Sequence, residues 1–120
     1  MDREALLLHL EKTPASQVGD ALMRAADWLL QRRFLVKDRV MAIGETVATA
    51  TRLAQPELLT AAAMMLVPEG WNGNIGFGKG LKRAVLFSPN FVSYCEEEPI
   101  EAEHESPAIA LAIAAILARP

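Results

Sequence analysis

Residues Ser106 to Ala118 read S-P-A-I-A-L-A-I-A-A-I-L-A, and no charged side chain follows until Arg119. Ser106 suits a helix N-cap, and Pro107 suits the first helical position, where an N–H would have no partner in any case. A helix that is apolar all round has no face to give to water, so it lies inside a larger protein or in a membrane. Such a helix reaches about 20 Å at ~1.5 Å per residue. That is short of the ~30 Å hydrocarbon layer of a bilayer. The stretch therefore predicts an interior helix, and the rest of the chain must supply its cover.

A chain of 120 residues can do so as one domain, residues 1–120. Its 52% hydrophobic content argues against disorder, and 20 alanines make much of that content helix-forming. A single cysteine, Cys95, leaves no internal disulfide and fits a reducing compartment. The N-terminal M-D-R-E-A-L-L-L-H-L-E-K has too short an apolar run for a secretion signal. The expectation is a soluble cytoplasmic protein.

In chain order, residues 2–12 read as a helix. Thr13-Pro14 then opens a second, as N-cap and first residue, running to about Phe34. Its core stripe is Val18, Ala21, Leu22, Ala25, Trp28 and Leu29, with Gly19 a weak point near the start. A third pattern, 37–54, carries Val40, Ile43, Val47, Ala50 and Leu53 or Ala54. A fourth, Pro56 to Val67, is nearly dry and is stopped by Pro68-Glu69-Gly70. Trp71–Gly80, Leu81–Ser88 and Phe91–Cys95 then alternate as strands separated by turn residues, and Glu96 to Glu105 reads as an acidic connection that can extend the last strand. The fold class expected is α+β: N-terminal helices, a short antiparallel three-stranded meander, and a closing buried C-terminal helix.

The order L-T-A-A-A-M-M-L-V-P-E-G-W (Leu59 to Trp71), short strands, then the Ser106 helix resembles the phage ABA-sandwich domain family. In these small phage and prophage proteins a helix ending near P-E-G-W precedes a short meander and a closing T-P-A-L-A-type helix. R-E-A-L-L-L-H-L-E-K (Arg3 to Lys12) resembles their opening helix. The likeness covers residues 3–12 and 59–118; residues 13–55 read as additional helical material, and Ser106 stands where Thr is commoner. It implies a fold and a phage origin, with no assigned activity and no functional residue to carry across.

Catalytic patterns are poor. Gly73 to Lys79, G-N-I-G-F-G-K, fits the first part of a phosphate-binding loop. Such a loop needs a Ser or Thr after the lysine and a strand before a helix, and here Gly80 follows. A Gly-rich edge strand and hairpin is the plainer reading. Cys95, Glu96 to Glu98 and His104 are the only close set of metal-ligating types, in no zinc spacing, and His104 sits in an acidic run unsuited to a Cys–His nucleophile. The basic residues Arg32, Arg33, Lys37, Arg39 and Lys79, Lys82, Arg83 read as solvated surface. No enzyme activity, cofactor or metal is expected.

Charge is the informative feature. Residues 1–95 carry eleven Lys/Arg and nine Asp/Glu, whereas residues 96–120 carry six Glu and one Arg. The six acids, Glu96, Glu97, Glu98, Glu101, Glu103 and Glu105, lie within ten residues. The plain reading is a solubilising connection that places Glu105 at the positive end of the last helix. The functional reading is a partner-binding surface of those six acids. It makes the chain a non-enzymatic phage or prophage accessory protein that acts in the host cytoplasm. The partner is then a host protein or ribonucleoprotein complex, met in the manner of an anti-CRISPR inhibitor that fills a basic nucleic-acid-binding groove. Direct binding to nucleic acid or membrane is not expected. The alternative is a phage structural or assembly protein, a homo-oligomer joined through its apolar helices.

Overall fold

The computed structural model describes residues 1–77, 80–92 and 97–119, with Phe77 described by its backbone alone. Its organising element is helix α5, Pro107–Leu117, in which every residue from Ala108 to Ile116 is buried. The Ser106 hydroxyl accepts the Ile109 N–H at 3.4 Å, and Pro107 occupies the first turn. Ala108, Ala110, Ala112, Ala114 and Ala115 let neighbours approach closely on several sides, while Ile109, Leu111, Ile113 and Ile116 fill the space between. Each of those four large side chains contributes about 1.5–3 kcal/mol by leaving water.

Cover comes from both halves of the chain. Helices α1 (Arg3–Glu11), α2 (Val18–Gln31) and α4 (Glu57–Met64) pack on α5, as do two strands described below. The Asp2 carboxylate caps α1 by accepting the Ala5 N–H at 2.8 Å, and Leu6 and Leu10 point into the core. The expected α2 stripe is buried as read, joined by Ala26. Residues 13–55 do not form a separate body, because α2 shares its core with α5 and the sheet. Helix α3 (Lys37–Leu53) is peripheral and packs on α2 and α4.

Local readings shift at the helix ends. The Thr13 hydroxyl donates to the His9 carbonyl at 2.8 Å, so it closes α1 and does not cap α2. A 3₁₀ turn, Ala15–Gln17, intervenes before α2. In α3 only Ile43 and Ala50 are buried; Val40 and Val47 are half-buried, and Leu53 and Ala54 are exposed. A helix with one packed side needs no wider stripe. Helix α4 stops at Met64, and the chain to Val67 tightens into successive i→i+3 bonds. Two arginines converge there: Arg39 Nη1 donates to the Met65 carbonyl at 3.4 Å and Arg119 Nη2 to the Leu66 carbonyl at 3.0 Å. Cations are favoured at this negative helix end. Burial, and then the Arg39 charge, push Arg119 below its ordinary range, and its buried Nε finds no acceptor.

The sheet is antiparallel in the order β1-β2-β3, with β1 at Asn72–Phe77, β2 at Lys82–Phe87 and β3 at Ile100–His104. Its inner rows, Gly73–Leu86–Ile100 and Ile75–Ala84–Ala102, lie on the side covered by α5 against β2 and β3. A Cβ on Gly73 would sit 2.9 Å from Leu86 Cδ2, so only glycine lets Leu86 lie across β1. The α+β class and the closing buried helix are as the sequence indicates. The third strand is not. Phe91 and Val92 lie outside any strand, residues 93–95 lie outside the described residues, and β3 falls within the acidic stretch. Ile100, Ala102 and His104 alternate inward against outward Glu101 and Glu103, and that period of two commits the segment to a half-buried strand. Among the described residues no helix is long and apolar enough to cross a membrane.

Candidate acidic binding surface

Strand β3 divides the acidic run into parts with different geometry. Glu101 and Glu103 stand on the outer face of the sheet, about 7 Å apart along the strand. Glu97 and Glu98 are exposed before it, and Glu105 is exposed after it, one residue ahead of the α5 cap. Glu96 lies outside the described residues. The expected connection is thus in part a rigid, side-chain-presenting strand.

Two of these acids are already engaged within the chain. Arg83 faces Glu103 across the β2–β3 ladder, and its Nε and Nη2 donate to Glu103 Oε1 at 3.1 and 2.8 Å. That hydrogen bond, the Glu103 charge and then the Glu101 charge hold Arg83 above its ordinary range. The pair is exposed, with side chains 52% and 46% accessible, so it orients the strand without anchoring the fold. The Ser88 hydroxyl donates to both Glu97 carboxylate oxygens at 2.8 and 2.9 Å, tying the connection to the end of β2. Glu98, Glu101 and Glu105 make no ion pair among the described residues. Among the described residues they are the acids of the run that no side-chain hydrogen bond or ion pair holds.

His104 lies on the inner face, where its Nδ1 accepts the Ser106 N–H at 2.9 Å. The bond couples the end of β3 to the start of α5. Below it, a surface cavity of about 400 Å³ is lined by Lys12, Thr13, Leu81, Glu103, His104 and Glu105, among others. The cavity carries one cation, Lys12, against three carboxylates, Glu11, Glu103 and Glu105, and no arranged nucleophile and base.

The remaining sequence candidates scatter. Gly73 to Gly76 lie extended in β1, with a strand and not a helix following. The amides of Gly73 to Gly76 therefore do not curl around a phosphate. Gly78, Lys79 and Cys95 lie outside the described residues. No group of three or more His, Cys, Asp or Glu among the described residues is placed to hold a metal ion. Of the basic residues, Arg32 stacks on Trp28 with its guanidinium carbon 3.9 Å from the ring centroid, Arg39 caps α4 and Arg83 pairs with Glu103. Arg83 was the neighbour that sequence reading missed, since cross-strand partners twenty residues apart have no local signature. The strand itself had one, the alternation in I-E-A-E-H.

The chain matches no protein-family model, no curated protein and no solved structure.

Proposed function

We propose that this chain is a non-enzymatic accessory protein of phage or prophage type that binds a basic host protein through its β3 surface. In this reading it acts as an anti-CRISPR-like inhibitor, filling a groove that otherwise holds nucleic acid. The observation that carries the reading is the placement of Glu98, Glu101 and Glu105, exposed and free of ion pairs among the described residues, on and beside an ordered strand. A groove lined by Lys and Arg is complementary to closely spaced negative charge whether phosphate or carboxylate supplies it. Holding the carboxylates on a strand lowers the ordering cost that a loose acidic loop would meet on binding.

The test is capture from bacterial lysate, repeated at about 0.5 M salt, where the Debye length falls well below 8 Å. The captured protein is expected to bind nucleic acid and to release it when this chain is added. The triple variant Glu98→Lys, Glu101→Lys, Glu105→Lys should lose at least about tenfold in affinity, since like charges would then face the groove. Unchanged affinity and unchanged salt dependence in that variant would refute the mechanism.

The alternative, a self-associating phage assembly protein, would not join its copies through α5, the helix with the most apolar sequence. Helix α5 is enclosed within a single copy. A different element supports self-association.

A further inference from the structure

The two edges of the sheet are unlike. The β3 edge carries Glu101 and Glu103 and is preceded by Pro99, the devices by which natural proteins keep strand edges from pairing. The β1 edge, N-G-N-I-G-F, has no charge and no proline along its length. Among the described residues β2 is its only strand partner, and Asn72, Asn74 and Gly76 are exposed. An edge strand turns the N–H and C=O of every second residue outward, and these groups are strong, unmet hydrogen-bonding sites.

We infer that β1 is a self-association edge: two copies join β1 to β1 in antiparallel pairing about a twofold axis, giving a continuous six-stranded sheet. Three observations select a second copy as the occupant. The first is parity. An axis at Asn74 places Asn74 opposite its own copy, Asn72 opposite Gly76 and Gly73 opposite Ile75, so inner face continues into inner face. The second is chemistry. An asparagine amide both donates and accepts, so Asn74 meeting its own copy is complementary, where a charged residue would repel itself. The third is the placement of charge. Pairing through β1 leaves the two β3 strands at the far ends of the joined sheet, five strand spacings or about 24 Å apart. That distance is about three Debye lengths at physiological salt. Pairing through β3 about an axis at Ala102 would instead set Glu101 of each copy against Glu103 of the other. Only one edge accepts a twin, and that join keeps the acidic surface open.

This inference does not rest on the host-binding reading, because the glutamates take no part in the join. The test is sedimentation equilibrium from about 1 µM to about 1 mM, the range in which a small, edge-only contact dissociates. It uses the wild-type chain, Asn74→Lys, Asn74→Glu, and an equimolar mixture of the two variants, with circular dichroism confirming folded protein in each. The wild type should dimerise and each variant alone should dissociate at least about tenfold more readily, as like charges meet on the axis. The mixture should reassociate, since lysine then faces glutamate. A monomeric wild type at every concentration would overturn the proposal and leave the edge to a foreign strand. Variants that dimerise like the wild type, or a mixture that fails to restore association, would overturn it too.

Discussion

Replacing Gly19 by alanine sets two effects of opposite sign against each other, and the structure decides between them. Gly19 is the second residue of α2, where exchanging glycine for alanine in a helix is worth up to about 1 kcal/mol of added stability. Yet a Cβ there would lie 2.9 Å from Val47 Cγ1 on α3, against an ordinary carbon–carbon separation of about 3.5–4.0 Å. Val47 cannot swing aside, because a β-branched side chain in a helix has essentially one χ1 rotamer. The two helices must separate instead, and overpacking of this kind costs about 1–3 kcal/mol. The net expectation for Gly19→Ala is a loss of about 0.5–2 kcal/mol, or roughly 2–8 °C in Tm for a chain of this size. Urea denaturation followed by circular dichroism measures it, with an unchanged m-value as the sign that only stability has moved. The cycle with Val47→Ala isolates the contact: the double variant should be more stable than the summed single effects by at least about 1 kcal/mol. A stabilised Gly19→Ala, or strict additivity in the cycle, would show that α2 and α3 do not meet at this point.

Two further outcomes follow from α5. Leu111→Ala removes a fully buried side chain where helix and sheet meet and should cost about 2–5 kcal/mol in urea denaturation, enough to threaten folding at 37 °C. Ser106→Ala should cost only about 0.5–1 kcal/mol, at the low end for an N-cap, because its hydroxyl accepts at a long 3.4 Å. A Ser106 effect as large as that of Leu111 would mean that the cap, and not packing, holds the helix.

The candidate surface was half legible. That six glutamates cluster just ahead of Ser106 is a fact of the sequence, and so is the lack of a metal-ligand spacing around Cys95 and His104. The strand hidden in the cluster was readable in Ile100, Glu101, Ala102, Glu103 and His104, but aromatic and β-branched Phe91-Val92 offered a stronger local β signal. Tertiary context won: Ala102 fits between Ala84 of β2 and the alanine-rich α5, as the register of the sheet requires. Which glutamates are free was not readable at all. The Ser88–Glu97 and Arg83–Glu103 contacts depend on where β2 and β3 come to lie.

By itself, the sequence determined that Ser106 to Ala118 is an interior helix, since a stretch with no polar face has one environment open to it in water. Its periodicity likewise settled which residues of α2 face inward, from Val18 to Leu29. The tertiary structure alone decided that α3 lies at the periphery, that Gly19 and Gly73 are points of close approach, and that uncharged β1 and acidic β3 form the two opposite edges of the sheet. The reason is range. Hydrophobic period and capping are set by neighbours within a few residues, whereas a sheet edge, a crossing point or a free carboxylate is defined by what remains uncovered after every other element has packed.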